Sequence, residues 1–248
     1  MIIKKIKSKK GSFYFAHRGA QWLYPENTLI AFKKAITLGC DGVEMDIQIT
    51  KDNKIIIFHD RHILSKNKKH FISKLNYQEI KLICAQKKQP TPELFDFILP
   101  IMKKNPHIIF NIEIKSDCYN NNQIIKLLDR LIPDSIKNNQ CIFSSFNYCL
   151  LFQLKLYFKN KTFIGLIFGS QRMKKKPIGI FNKFIIKLIK PHCLHLNANY
   201  MTSELVGWAT FNKIIINSYT INEKQQLDTV RAMGVHGIFT DNHELYSK

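Results

Sequence analysis

The sequence predicts an α/β protein built as a (β/α)8 barrel, and three observations carry that expectation. The chain has 248 residues, close to the size of one such barrel. It opens as strand, helix and strand, the βαβ unit of a parallel sheet. After residue 107, short apolar runs recur at barrel spacing with helical patterns between most of them, until eight strands are counted.

Phe13 to Ala16 is a short apolar strand ending in His17-Arg18-Gly19, a turn suited to an anion. Pro25-Glu26-Asn27-Thr28 opens a helix, with Asn27 as the expected N-cap and Gly39 as the stop. From Val43 to Ile49, apolar residues alternate with Glu44, Asp46 and Gln48, which argues a strand. Two carboxylates then share one face. On a buried strand they would repel and be costly to desolvate, and a hard cation with oxygen ligands would resolve both problems. On an exposed strand they would be ordinary surface acids.

The segment from Thr50 to Lys54 is a turn signal and Ile55 to Phe58 a second strand. The link is too short for a parallel crossover, so a hairpin follows. With Asp52-Asn53 as a two-residue turn, His59 is expected opposite Asp46. Residues 61–89 read as a basic excursion on the rim with a short helix over 75–85. Thr91-Pro92 is expected to cap a helix. On the strand from Ile108, Asn111, Glu113 and Lys115 share one face. Later strands are expected at 141–146, 162–168, 193–197, 214–219 and 237–240. The helices between them are expected at 120–131, 148–157, 203–211 and 223–233. No linker divides the chain, so residues 1–248 read as one domain with 61–89 as a small insertion.

Bulk composition narrows the options. A hydrophobic content of 45% suits a globular fold. No apolar run reaches the roughly 18 residues of a membrane span. The start, MIIKKIKSKKG, lacks an apolar signal-peptide core, so a cytoplasmic location is expected. The six cysteines show no CxxC spacing, which argues against structural zinc and for free thiols. The net charge of +20 would attract phosphoesters, anionic lipid or nucleic acid. Abundant Lys, Asn and Ile would equally follow from AT-rich coding, so the charge selects no particular partner. Residues 172–190 interleave lysines with apolar positions. That fits either a barrel helix or an element lying on an anionic membrane surface, and the barrel helix is favoured.

The motifs HRGA (17–20), PENT (25–28), GVEMDIQITKDNKIIIFHD (42–60), NIEIK (111–115), SSF (144–146) and GVHGIFTD (234–241) together resemble the glycerophosphodiester phosphodiesterase family. The resemblance implies a TIM barrel, a divalent metal (Mg²⁺ or Ca²⁺) and two catalytic histidines, His17 and His59. It implies Glu44, Asp46 and Glu113 as metal ligands. Arg18 and Lys115 would neutralise the phosphate, and Glu26 and Asn27 would order the first loop or reach the site. Tyr219 stands where the family has Trp and keeps an aromatic wall for a glycerol moiety. Lys66 to Lys69 replaces the family's usual Arg-Thr-Thr-Gly-like stretch.

The activity so implied is metal-dependent hydrolysis of a small glycerophosphodiester to glycerol 3-phosphate and an alcohol. His17 would act as general base and His59 as general acid. One rival keeps the site but acts as a lysophospholipase D on lysolipid at a membrane surface. Another is a non-catalytic basic barrel that binds anions. Binding alone needs no acidic cluster, and no specific nucleic-acid partner is expected.

Overall fold

The computed structural model describes residues 2–9, 11–115, 121–159, 161–169 and 180–247. Helix α1 (Ile2–Ser8) precedes β1 (Phe13–Ala16), α2 (Leu29–Thr37) and β2 (Gly42–Ile49). An excursion follows: β3 (Ile55–Ile57), the hairpin β4 (His62–Ser65) and β5 (Lys68–Phe71), then α3 (Tyr77–Gln86) and β6 (Glu93–Leu94). Then come α4 (Leu99–Lys104), β7 (Ile109–Ile114), α5 (Asn121–Leu131), α6 (Asp134–Gln140), β8 (Cys141–Ser145), α7 (Tyr148–Tyr157) and β9 (Phe163–Phe168). The last part holds α8 (Ile180–Ile189), β10 (Cys193–Asn197), α9 (Ser203–Phe211), β11 (Ile215–Tyr219), α10 (Lys224–Ala232) and β12 (Gly237–Thr240).

Among the described residues, eight strands run parallel in the order β1, β2, β7, β8, β9, β10, β11, β12. Pairing of β1 with β12, Phe13 to Gly237 through Ala16 to Thr240, closes the ring. This is the expected (β/α)8 barrel. Strand β3 pairs antiparallel with β2 and β6 pairs antiparallel with β3, and both stay out of the ring. Among the described residues, no helix is long and apolar enough to cross a membrane.

Several local expectations change. The hairpin register is offset by one: Ile47 pairs with Ile57, and Phe58 N donates to Asp46 O at 2.9 Å, so Phe58 rather than His59 lies across from Asp46. The loop has three residues, 51–53, not two. Thr50 N bonds Lys54 O at 2.9 Å and Asn53 takes a left-handed φ of 60°. A three-residue loop with a left-handed last residue is a standard hairpin solution, and one added residue shifts every cross-strand pair.

Thr91-Pro92 caps no helix. Glu93–Leu94 pair with β3, a 3₁₀ turn spans Phe95–Ile98, and α4 starts at Leu99 with Pro100 in its first turn. The N-cap of α2 is Thr28, whose hydroxyl accepts from Ala31 N at 3.3 Å, and not Asn27. The N-terminal segment is a helix. Its Ile2 and Ile6 are buried with Phe13, Phe15, Ile109, Ile142, Cys193, Ile215 and Phe239, filling the N-terminal end of the barrel.

The rim excursion contains the expected helix, here α3, with Asn76 and Glu79 forming its capping box. Lys66 and Asn67 both have positive φ (48° and 59°) in the tight turn of the β4–β5 hairpin. Of the basic 172–190 stretch, residues 172–179 lie outside the described residues, and α8 forms the remainder.

Candidate active site

The site gathers at the C-terminal ends of the barrel strands, the face where loops from every βα unit converge. A cavity of about 220 Å³ there is lined by His17, Arg18, Glu44, His59, Asn111, Glu113, Lys115, Phe146, Ile167, His195, Asn197, Tyr219, Thr220 and Phe239. Seven of the nine residues singled out in the sequence line it. Asp46 lies just behind, bonded to Lys115, and Glu26 stands on the rim, bonded to Arg18.

Strand alternation explains the carboxylates. Val43, Met45 and Ile47 face the helices, so Glu44 and Asp46 share the opposite face and are 2% and 1% exposed. The parallel neighbour β7 sets Glu113 beside Asp46. Glu44, Asp46 and Glu113 each offer an oxygen within 4.8 Å of the others. Burial and the Asp46 charge push the Glu44 carboxyl up to about 8. Burial also raises the Asp46 carboxyl, but Lys115, His59 and Arg18 outweigh it and hold the group at about 2. Burial raises Glu113, with Lys115 opposing it.

The basic groups are fixed by this acid cluster. Lys115 Nζ bonds Asp46 Oδ1 at 2.9 Å and also bonds Glu113. Burial would lower the ammonium, but Asp46 and Glu113 raise it. Arg18 sits in a turn with φ 54°, from which its backbone N donates to Glu44 Oε2 at 2.9 Å. Its Nε lies 3.3 Å from Asp46 Oδ2 and its Nη1 donates to Glu26 at 2.8 Å. The next residue, Gly19, has φ 83°, and a Cβ there would stand 2.8 Å from Ala31, so only glycine fits.

Each imidazole is oriented by a carboxylate. His17 Nδ1 bonds Asp241 Oδ1 at 2.7 Å, and its Nε2 lies 3.9 Å from Glu44 Oε2. Burial lowers the His17 pKa, but the Asp241 bond and the Glu44 charge outweigh it and leave the ring above its ordinary value. His59 Nδ1 bonds Asp60 Oδ1 at 2.8 Å.

The sequence assigns no role to three contributors, Asp241, Asn111 and His195, and leaves Asn27 between ordering the first loop and reaching the site. Asp241 reaches His17 because β12 pairs with β1; it is tied further by Asn222 Nδ2 at 2.8 Å and by Gln21. Its TD motif was the available signal. Asn27, φ 57°, braces Asp46 twice: its Nδ2 donates to Asp46 Oδ2 at 2.9 Å, and its Oδ1 accepts from Asp46 N at 3.1 Å. Asn111 and His195 form the floor. Asn111 Oδ1 and His195 Nε2 are buried without a hydrogen-bond partner. Strand alternation puts Asn111 on the Glu113 face, whereas nothing in the local pattern marks His195. Tyr219 forms part of the wall, its hydroxyl donating to Phe168 O at 2.7 Å.

The fold and this cavity belong to the class of phosphoric diester hydrolases built on a (β/α)8 barrel, and the comparisons narrow the class. The model of the glycerophosphoryl diester phosphodiesterase family matches residues 17–245. The chain belongs to that family. A glycerophosphodiester phosphodiesterase of Caldanaerobacter subterraneus subsp. tengcongensis is 30% identical over 238 residues, covering 92% of this chain and 93% of the relative. The crystal structure of the Thermotoga maritima glycerophosphodiester phosphodiesterase superposes with a TM-score of 0.74 at 26% identity, covering 96% of this chain and 98% of that one. An Oleispira antarctica phosphodiesterase, solved in complex with the product sn-glycerol-3-phosphate, gives a TM-score of 0.78 at 20% identity over 94% of each chain.

Proposed function

We propose that the protein hydrolyses small glycerophosphodiesters to glycerol 3-phosphate and an alcohol. The observation that carries this reading is one cavity lined by both imidazoles, His17 and His59, together with the acid cluster and two fixed cations.

Mg²⁺ or Ca²⁺ fits the acid cluster. Glu44 Oε1 is buried with no partner, its carboxyl is pushed up to about 8, and all three candidate ligands are oxygens. Glu44, Asp46 and Glu113 would hold the ion, which when bound supplies a Lewis acid to polarise the phosphoryl group. Arg18 and Lys115 neutralise the diester's remaining charge, and Glu26 fixes the direction of the guanidinium. Asp241 accepts from His17 Nδ1, so His17 Nε2 is the free nitrogen that takes a proton from the attacking hydroxyl or water. Asp60 holds His59 Nδ1 in the same way, leaving Nε2 to deliver a proton to the departing alcohol oxygen. Tyr219 walls the glycerol side. On the floor, Asn111 Oδ1 accepts from a glycerol hydroxyl and His195 Nε2 offers it a second hydrogen bond.

The test is turnover of glycerophosphocholine with and without EDTA. Loss with EDTA and recovery with Mg²⁺ or Ca²⁺ is expected, and full activity in EDTA would overturn the reading. Preference for lysolipid vesicles over the soluble diester would shift the substrate to lysophospholipid.

A further inference from the structure

One sector of the barrel wall is unlike the others. In the sequence, residues 135–203 contain eleven Lys or Arg and no Asp or Glu, and among the described residues Lys159, Lys161, Lys187 and Lys190 of this run are exposed. Within it, α7 and α8 pack side by side. The Lys155 ammonium on α7 donates to Ile189 O at 2.6 Å and Lys190 O at 3.2 Å, fastening α7 to the C-terminal end of α8. Leu150, Leu151 and Leu154 of α7 and Ile186 and Ile189 of α8 are buried, which satisfies each helix's need for a core face.

Both helices are apolar on the outside as well. On α7, Phe152 and Leu156 are 40% and 62% exposed; on α8, Phe184 and Leu188 are 63% and 56% exposed. Each pair is spaced i, i+4, so each forms a stripe one turn long. Lys155 points at α8, whereas Tyr157 turns the other way to bond Asp129 of α5, and Phe152 and Leu156 lie on the face opposite the buried Leu150, Leu151 and Leu154. The α7 stripe therefore faces outward, nearer the α8 side of the helix than the α5 side. Lys159, Lys187 and Lys190 are exposed around the two stripes.

Apolar side chains of this size left in water at neighbouring positions mark a docking surface. A second copy of the chain would bring another +20 of charge against the same lysines, so charge disfavours that occupant. A protein partner would need acids to match the lysines. An anionic lipid surface satisfies both halves: acyl chains take the Phe and Leu side chains, and lipid phosphates take the lysines.

We propose that the α7–α8 face is a peripheral membrane-docking surface that lays the barrel on anionic bilayers. It stands apart from the cavity, which opens at the ends of the strands. The enzyme then samples the layer of water next to the headgroups, where soluble diesters released from phospholipids first appear.

The experiment is co-sedimentation of the purified full chain with vesicles of phosphatidylcholine alone and of phosphatidylcholine with 30% (roughly, as a working anionic fraction) phosphatidylglycerol. Binding to the anionic vesicles only, weakened by salt, is expected. The double variant Phe184→Ser/Leu188→Ser should bind about tenfold more weakly, and Lys187→Glu should weaken binding in the same direction. Both should keep wild-type turnover of a soluble diester and wild-type melting temperature, which separates this test from that of the active site. Equal binding by the wild type and the Phe184→Ser/Leu188→Ser variant would overturn the proposal, because charge alone would then be acting. So would a wild type that fails to sediment with anionic vesicles. A dimer in solution that the double variant converts to monomer would assign the face to a second copy and would also overturn it.

Discussion

The two ends of the barrel interior solve opposite problems. At the N-terminal end, Ile2 and Ile6 of α1 drop onto Phe13, Phe15, Ile109, Ile142 and Ile215, and the interior is dry hydrocarbon. At the C-terminal end, Glu44 and Asp46 are as buried as those side chains, yet they are ionisable. Burial there is tolerated because Lys115, Arg18 and Asn27 face the acids at hydrogen-bond distance. Between the ends lies a thin polar layer: Asn111 donates to Ser144 at 2.9 Å, and the Asn217 amide lies 3.2 Å from His195 Nδ1. The same eight strands therefore carry apolar packing at one end and paired ionisable groups at the other, and a substitution should reveal which end it is in.

The largest separation is expected at His17. On the proposed mechanism, in which His17 is the general base, His17→Ala should lower kcat by about a thousandfold. Urea unfolding should move by no more than about 1 kcal/mol, since Asp241 keeps Asn222 and Gln21. A large stability loss with modest kinetic change would break the division. The opposite end should behave inversely. Ile6→Ala should cost about 3 kcal/mol in urea unfolding and leave kcat on glycerophosphocholine within about twofold.

The middle layer should show itself through pH. Burial pushes the His195 imidazole down to about 3, so the folded protein keeps it neutral where the unfolded chain, near 6.5, takes up a proton. Its contribution is present above pH 6.5 and is lost as pH falls through that value toward 3. The loss by pH 5 is about 2 kcal/mol. Urea midpoints at pH 7.5 and pH 5 should converge partly in His195→Gln, and an unchanged pH dependence would remove His195 as its source. The smallest effect is expected from Tyr219→Phe. Losing the bond to Phe168 O should cost about 1 kcal/mol. KM should change more than kcat, because the ring still walls the cavity.

Much of this was readable because it is local. The period-two pattern from Val43 to Ile49 already put Glu44 and Asp46 on one face, and the NIEIK run did the same for Glu113 and Lys115. Helices α7 and α9 and strands β1, β10 and β12 begin and end where their patterns do. The failures were of two kinds. The hairpin register and the α2 cap turned on Asn53 and Asn27 entering left-handed backbone, which many residue types can decline and asparagine can accept. Helix α1 and strand β6 are too short for periodicity to speak, and only their docking on the barrel makes them ordered.

By itself the sequence determined which side chains share a strand face and which chemistry they bring, because backbone geometry sets side-chain direction residue by residue. Only the tertiary structure decided that Asp241 orients His17 across 224 positions, that Asn27 braces Asp46, and that Asn111 and His195 form one floor. Those meetings depend on ring closure between β1 and β12 and on how loops settle against it. Such long-range pairing is selected by the packing of the whole barrel and leaves no period in the chain to be read.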